Sequence, residues 1–242
     1  MPKINVYLPD DLAESVKDSG VPVSAICQRA LEQAVRRVTA IRAVALGDLD
    51  AGDLTARLPN LTERTRTVLR LAVKRAREQG APEVGTEHLL GGLLAEGGNL
   101  GLQVLQVLEI QPSQLTRELE RVTPASGTGE TPRRFSGPAA NALELTATEA
   151  IGMQHNYVGC EHLLVALALE PDGAAGAALR ALGADARAVR RTVSAAVAGY
   201  AHLRAQAAPA GLSAAVRKEI EPLIRRIERL ESSVSGSAEE KT

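Results

Sequence analysis

The chain has 242 residues, of which 45% are hydrophobic and 24% are charged, and its formal net charge is −1. This hydrophobic content is enough for a core and excludes a chain that is disordered throughout, whereas the near-zero charge excludes a basic field that attracts the whole chain to nucleic acid. Two cysteines are too few for a disulfide framework, and we find no apolar signal region and no apolar run of about 18 residues, so we expect a soluble, cytoplasmic protein.

The first predicted element is a β-strand. Residues 3–8 alternate polar and apolar side chains, which is the period of a half-buried strand. A short helix follows, capped by Asp10 or Asp11 and running to about Ser19, and Gly20 ends it. The pattern predicts one strand and one short helix in this segment.

A second, longer helix is predicted from about Ser24 to Val38. Its apolar positions recur at helical spacing and form one stripe: Ile26, Ala30, Leu31, Ala34, Val35 and Val38. Cys27 lies within this apolar pattern, so we expect it in the core rather than as a nucleophile. Residues 39–60 are predicted to be a connecting stretch that is helical in places.

The predicted strand has no partner elsewhere in the sequence. A lone strand cannot satisfy its own backbone donors and acceptors, so the natural partner is the same strand of a second chain. The order of strand, short helix and longer helix over about residues 2–40 resembles the ribbon-helix-helix fold of small repressors and antitoxins. This resemblance implies a homodimer that binds operator DNA.

In such a dimer Ile4, Val6 and Leu8 face the helices, and the alternate side chains of the strand point outward into the major groove. The N-terminus of the second helix is suited to a backbone phosphate. The candidate DNA-binding residues are therefore Lys3, Asn5, Tyr7, Val23 and Ser24. The alternative is a ribbon that only dimerises the protein.

An internal duplication dominates the rest of the chain. Residues 61–122 match residues 135–196 at a constant offset of 74 without a gap. Each copy is predicted to form four helices, which in the first copy lie at about 62–79, 86–96, 100–108 and 113–122. Residues 123–134 between the copies are rich in Gly, Pro, Ser and Thr and are predicted to be a surface linker.

The repeated motifs carry a family resemblance. Leu61-Thr62-Glu63-Arg64-Thr65, Gly-Thr-Glu-His-Leu-Leu at 85–90 and Gly-Cys-Glu-His-Leu-Leu at 159–164 together resemble the N-terminal domain of ClpC-type unfoldases, over about residues 60–197. The resemblance implies a mainly α fold, an eight-helix tandem repeat with a pseudo-twofold axis. It also implies binding of peptide-like ligands or adaptors, including phosphoarginine and cyclic-peptide antibiotics.

The same resemblance implies the ligand-binding residues. The phosphoarginine pockets of the family use the Thr and Glu of each motif, which are here Thr86 and Glu87 in the first copy and Cys160 and Glu161 in the second. Cys160 departs from the family threonine, and a thiol is a weaker donor. An acidic residue in the first turn of a helix is equally explained by the helix dipole, so capping and ligand binding both stay open.

The antibiotic groove of relatives lies where the two repeats begin, beside paired aromatic residues. Leu61 and Phe135 occupy those positions here, so one ring is missing and we expect that groove to be kept only in part.

Several chemistries are excluded by missing motifs. None of the 21 glycines is followed by lysine, so the sequence has no phosphate-binding loop for ATP. No His-Glu-x-x-His occurs and His155 and His162 lie seven residues apart, so no metal site is predicted. We expect His88 and His162 to be packed helix residues, no cofactor, and no enzymatic activity.

Residues 198–242 are predicted to form one more helix and a frayed end. Val216, Ile220, Leu223, Ile227 and Leu230 follow a coiled-coil seam over two heptads. This helix either packs on its own protein or mediates self-association.

Two functional hypotheses follow from these modules. The first is a dimeric transcriptional regulator whose Clp-type repeats sense a ligand. The alternative is an adaptor or decoy of the Clp protease system, which sequesters ligands or toxic peptides and protects the unfoldase.

Overall fold

The computed structural model describes residues 4–49, 58, 60–123 and 129–199. The chain divides into two compact units, Met1–Thr192 and Val193–Thr242, and of the second unit only residues 193–199 are described. The predicted C-terminal coiled-coil helix therefore lies outside the described residues, as does part of the predicted linker. Within the described part, no helix is both long enough and apolar enough to cross a membrane.

The described residues are almost entirely helical. The helices are α1 (Asp10–Ser19), α2 (Val23–Ala45), α3 (Glu63–Glu78), α4 (Thr86–Glu96), α5 (Leu100–Val107), α6 (Pro112–Val122), α7 (Gly137–Gly152), α8 (Cys160–Leu169) and α9 (Ala174–Ala181). Residues 186–192 are also helical. This confirms the mainly α class and the predicted helices of the first copy to within one residue at each end.

The two copies have the same helices at the predicted offset. The pairs α3 and α7, and α5 and α9, begin and end 74 residues apart, and α4 and α8 begin 74 apart. The N-caps correspond as well, since the hydroxyls of Thr62 and Ser136 each accept a hydrogen bond from the backbone N–H three residues on. Equal cap chemistry and equal apolar spacing give both copies the same four-helix plan.

Two short backbone contacts join the copies reciprocally. Leu61 pairs with Val158 and Phe135 pairs with Val84 as isolated parallel bridges. The N–H of Thr62 donates to the Val158 carbonyl at 3.1 Å, and the N–H of Ser136 donates to the Val84 carbonyl at 3.0 Å. Phe135 is the equivalent of Leu61 in the second copy, and Val84 is the equivalent of Val158 in the first copy. Each copy therefore makes the same contact with the other, as a pseudo-twofold axis requires.

The core of the repeats consists mostly of aliphatic side chains from helices α3 to α9. Its largest fully buried members include Leu69, Leu89, Leu90, Leu163 and Leu164. Helices α3 and α4 approach closely at Gly92, where a Cβ would lie 2.5 Å from the Val68 carbonyl oxygen. The core thus contains few aromatic residues, and the helices pack closely against one another.

The N-terminal segment agrees with the prediction in its helices but not in its strand. Helix α1 ends at the predicted Ser19, and Gly20 stops it in the left-handed conformation with φ 62°. The predicted cap by Asp10 or Asp11 is wrong, because the N-cap is Pro9 and both aspartates lie in the first turn, where the helix dipole stabilises them. Residues 4–9 have no strand assignment, and Ile4, Val6 and Leu8 are exposed. The physical reason is that a single chain offers these residues no partner strand.

Helix α2 departs from the prediction at its C-terminal end. It begins at Val23, as expected, but continues past Val38 to Ala45. Its last turns are buried, because Ile41 and Val44 pack against the repeats, and this burial extends the helix into the predicted connecting stretch.

The N-terminal half of α2 is not packed in the same way. Cys27 is exposed, so its expected place in the core is wrong for this chain alone. The stripe residues Ile26, Leu31 and Val35 are exposed as well. No element of the described chain covers this half of the helix, and α1 has no buried residue.

Candidate ligand-binding site at the paired repeat motifs

The repeated Gly-x-Glu-His motifs form the N-termini of α4 and α8. In each, the N–H of the N-cap glycine donates to Nδ1 of the histidine three residues on, Gly85 to His88 at 2.8 Å and Gly159 to His162 at 2.9 Å. Both histidines are buried, as the sequence predicted for packed helix residues. Burial lowers the pKa of His88, and it lowers the pKa of His162 to about 4, with His155 adding to that shift. Both rings therefore act as neutral caps.

The two motif carboxylates lie in the same place but differ in exposure. Each folds back over its N-cap glycine, so that a Cβ would lie 2.2 Å from a Glu87 oxygen at Gly85 and 2.3 Å from a Glu161 oxygen at Gly159. The Glu87 side chain is 23% exposed, whereas that of Glu161 is 5% exposed. Solvent therefore reaches the first carboxylate and is nearly excluded from the second.

Burial also changes the chemistry of Glu161. It raises the pKa of this carboxyl, although hydrogen bonds to its own backbone N–H and to Tyr157 act in the opposite direction. The pKa of Tyr157 is raised to about 12, first by burial and then by Glu161. Glu161 and Tyr157 thus form a closed pair, and no pair of this kind exists at the first motif because Glu83 occupies the position of Tyr157.

Thr86 and Cys160, the other predicted ligand residues, face the protein interior. Both are buried. The Thr86 hydroxyl accepts a hydrogen bond from the N–H of Ala175 at 3.2 Å, which caps the first turn of α9 in the other repeat. The Cys160 sulfur lies 3.5 Å from the Thr65 hydroxyl, and burial raises the pKa of the thiol to about 11. In this structure both side chains join the repeats rather than line an open pocket.

Leu61 and Phe135, predicted to line the antibiotic groove, are also buried. They form the two reciprocal bridges between the repeats. Leu61 lines an apolar cavity that Ile41 and Val44 of α2 also line. The N-terminal segment therefore covers the groove on the Leu61 side.

A ring cluster in the second repeat was missed at the sequence level. The rings of His155 and Tyr157 stack with centroids 5.1 Å apart, and Nδ1 of His155 lies 2.7 Å from Nε2 of His162. His155, Glu161 and His162 offer possible metal ligands within 4.8 Å of one another. The only signal was the seven-residue spacing of the histidines.

The proton positions favour a hydrogen-bond chain over a cation at this cluster. Nδ1 of His162 accepts the Gly159 N–H, so the neutral ring carries its proton on Nε2 and donates it to His155. A cation would need a free lone pair on that same Nε2.

The predicted DNA-binding residues lie in the exposed N-terminal segment. Lys3 lies outside the described residues. Asn5, Val23 and Ser24 are exposed, and Tyr7 is 94% exposed. None of them takes part in the site at the repeat motifs.

The fold and the motifs define a class, the duplicated four-helix domains with a glycine and histidine cap on the second helix of each copy. The family profile of the Clp repeat (R) N-terminal domain matches residues 60–131 and 134–236. The chain belongs to this family.

Similar proteins agree with this assignment. The chain is 37% identical over 146 residues to chaperone protein ClpC1, chloroplastic, of Oryza sativa subsp. japonica, which covers 59% of this chain and 16% of that protein. It is 35% identical over 135 residues to chaperone protein ClpB of Oceanobacillus iheyensis, with 54% and 16% covered. The matched region therefore spans about one sixth of these relatives.

Solved structures are similar at lower identity. The N-terminal domain of the chaperone ClpD from Arabidopsis thaliana is 24% identical with a TM-score of 0.45, and 57% of this chain and 97% of that domain are covered. The N-terminal domain of Hsp104 from Candida albicans is 15% identical with a TM-score of 0.48, over 55% of this chain and 88% of that domain.

Proposed function

We propose that this protein is a ligand-binding adaptor or decoy of the Clp protease system. The observation that carries the proposal is the family match across both repeats, since domains of this family receive substrates and adaptors for Clp unfoldases. The 242 residues contain no Gly-Lys dipeptide and hence no phosphate-binding loop of the P-loop type. A chain with receptor repeats competes for ligands of the unfoldase without unfolding them itself.

The test is a degradation assay with a ClpC-type unfoldase, its protease and an adaptor-delivered substrate. Adding this protein in excess of the unfoldase is expected to slow degradation in a saturable way, because the two receptors share the adaptor or substrate. Degradation of a substrate that needs neither adaptor nor N-terminal domain is the control. An unchanged rate at a tenfold excess of this protein would contradict the proposal.

The ligand site that we propose is the N-terminus of α4. Glu87 is the motif carboxylate that solvent reaches, and it can pair with a guanidinium, while N–H groups of the first helical turn can hold phosphoryl oxygens. This arrangement suits phosphoarginine. Thr86 would contribute its hydroxyl only if its contact with Ala175 opened. The buried Glu161 and Cys160 make the equivalent place in the second repeat a weaker candidate.

The exposed N-terminal segment supports a second, separate proposal, pairing with another copy of this chain. The exposed large apolar residues of this segment include several that pairing would cover: Ile4, Val6, Leu8, Leu12, Ile26, Leu31 and Val35. Sedimentation velocity should give a dimer for the wild type and a monomer for a Leu31→Ser and Val35→Ser double variant. A monomeric wild type at all concentrations would exclude the dimer.

Operator binding by such a dimer stays a prediction. The comparisons favour the adaptor or decoy over the regulator, because the family profile begins at residue 60 and the relatives named above are chaperones. Selection of bound DNA from a random library tests it. An enriched site whose binding is lost in Asn5→Ala and Tyr7→Ala would support the regulator hypothesis. The absence of any enriched site would exclude it.

A further inference from the structure

Helix α2 covers a surface that the family domain alone leaves open. The family match begins at residue 60, whereas α2 ends at Ala45. A domain built from the matched residues therefore has no counterpart of α2, and the apolar side chains beneath α2 would face solvent. These include Leu61, Leu69, Leu143, Val158 and Leu163, which we call the α2 groove.

Two aliphatic side chains of α2 fill this groove. Ile41 and Val44 lie three positions apart on one face of the helix and are both buried, with Ala45 beside them. This is the anchor spacing by which an amphipathic helix binds a hydrophobic groove. The groove thus has the shape and polarity of a helix-binding site.

Polar contacts at the rim select a basic helix. The Arg42 guanidinium pairs with the Glu144 carboxylate through two hydrogen bonds of 3.0 and 2.6 Å. Nη1 of Arg37 donates to the backbone carbonyl of His155 at 2.7 Å. An acceptor on α7 and another in the loop before α8 therefore each receive an arginine of α2.

The same contacts indicate that α2 is held weakly. Arg42 and Glu144 are 57% and 27% exposed, so water screens their ion pair. Nε of Arg37 is buried without a hydrogen-bond partner, which opposes docking. The N-terminal half of α2 adds no burial, so within the helix itself the buried side chains lie in the last turns.

We propose that the α2 groove is a binding site for a basic amphipathic helix and that α2 is its resident occupant, which a helical segment of a partner displaces. The partner helix carries two aliphatic residues three positions apart and an arginine next to the first of them. This site is distinct from the N-terminus of α4, so the proposal stands or falls independently of phosphoarginine binding.

A labelled peptide of residues 34–47 tests the proposal in trans on the 242-residue protein. In Arg42→Glu, repulsion from Glu144 undocks α2, and the peptide is expected to bind at least tenfold more tightly than to the wild type by fluorescence anisotropy. A peptide with serine at positions 41 and 44 should not bind. Equal affinity for wild type and Arg42→Glu, or no binding to the variant, would overturn the proposal.

The charge-swapped protein is the matched control. Combining Arg42→Glu with Glu144→Arg restores an ion pair in cis and sets the new arginine against Arg42 of the peptide, so binding should fall to the wild-type level or below. Binding as strong as to the single variant would contradict the assigned rim contact.

Hydrogen exchange on the wild type avoids the use of any variant. Excess unlabelled peptide should speed amide exchange in residues 37–45 and leave α4 unchanged. Unchanged exchange in α2 at a peptide concentration that saturates Arg42→Glu would show that α2 is a fixed part of the core, and would refute the proposal.

Discussion

The two repeats have the same backbone plan and different chemistry at the same place. Both use a glycine N-cap held by a buried histidine, and both fold a glutamate back over that glycine. In the first repeat the carboxylate reaches solvent, whereas in the second it is enclosed and bonded to Tyr157. The comparison shows that the glycine and histidine of the motif determine where the helix begins. Neighbouring residues determine whether the motif carboxylate is accessible to a ligand.

The largest expected effect is the dependence of stability on pH that His162 gives the second repeat. The pKa of His162 is about 4 in the folded protein and about 6.5 when unfolded, so only the unfolded state gains this proton between those values. The stabilisation present above pH 6.5 is therefore lost as the pH falls toward 4, by about 3 kcal/mol. Urea unfolding of wild type and His162→Gln from pH 7 to 4 should give a much shallower decline for the variant.

Glu161 supplies the control for that measurement. Its raised pKa means that the folded state gains this proton first on acidification, which stabilises the fold at low pH and opposes the effect of His162. Glu161→Gln should therefore decline more steeply with acidification than the wild type. Parallel pH curves for all three proteins would contradict the assigned burial of the cluster.

A smaller effect is expected where the first repeat reaches into the second. Thr86→Val removes the oxygen that accepts the Ala175 N–H and leaves a buried donor unpaired, so the free energy of unfolding should fall by about 1–3 kcal/mol. Thr86→Ser keeps the hydroxyl and should lose less. If the serine and valine variants are equally stable by denaturant unfolding, the hydroxyl is not the link between the repeats.

The smallest effect concerns an ion pair found in one repeat only. Arg64 pairs with Glu96 at 2.6 Å, and Pro138 occupies the equivalent of Arg64 in the second repeat. Because the Arg64 side chain is 58% exposed, Arg64→Ala should cost less than about 1 kcal/mol of unfolding free energy. A loss above about 2 kcal/mol in thermal or urea unfolding would contradict this prediction and would show that the ion pair stabilises the first repeat strongly.

The sequence predicted the repeats better than it predicted their surroundings. The helix and turn patterns of the first copy located its helices to within one residue at each end, and the 74-residue offset carried them to the second copy. The length of α2 depends on the packing of Ile41 and Val44 against residues far along the chain, which periodicity does not show. The exposed Cys27 has the same explanation, since an apolar stripe does not tell whether its partner lies in the same chain.

The candidate site residues follow from the sequence motifs, but their exposure does not. Glu87 and Glu161 follow from the motif, yet the closure of Glu161 depends on Tyr157. The side chain of Thr86 has the chemistry of a ligand group, but its contact with Ala175, 89 residues away, is tertiary. Local pattern gives the identity of such groups, whereas the packing of the two repeats determines their access to ligand.

Titration calorimetry with phosphoarginine tests the central claim most directly, because it counts the open sites. We predict one site per chain, an affinity at least tenfold weaker in Glu87→Gln, and an unchanged affinity in the matched variant Glu161→Gln. Two equal sites, no binding, or equal losses in the two variants would contradict the claim that the first repeat presents an available carboxylate and the second does not.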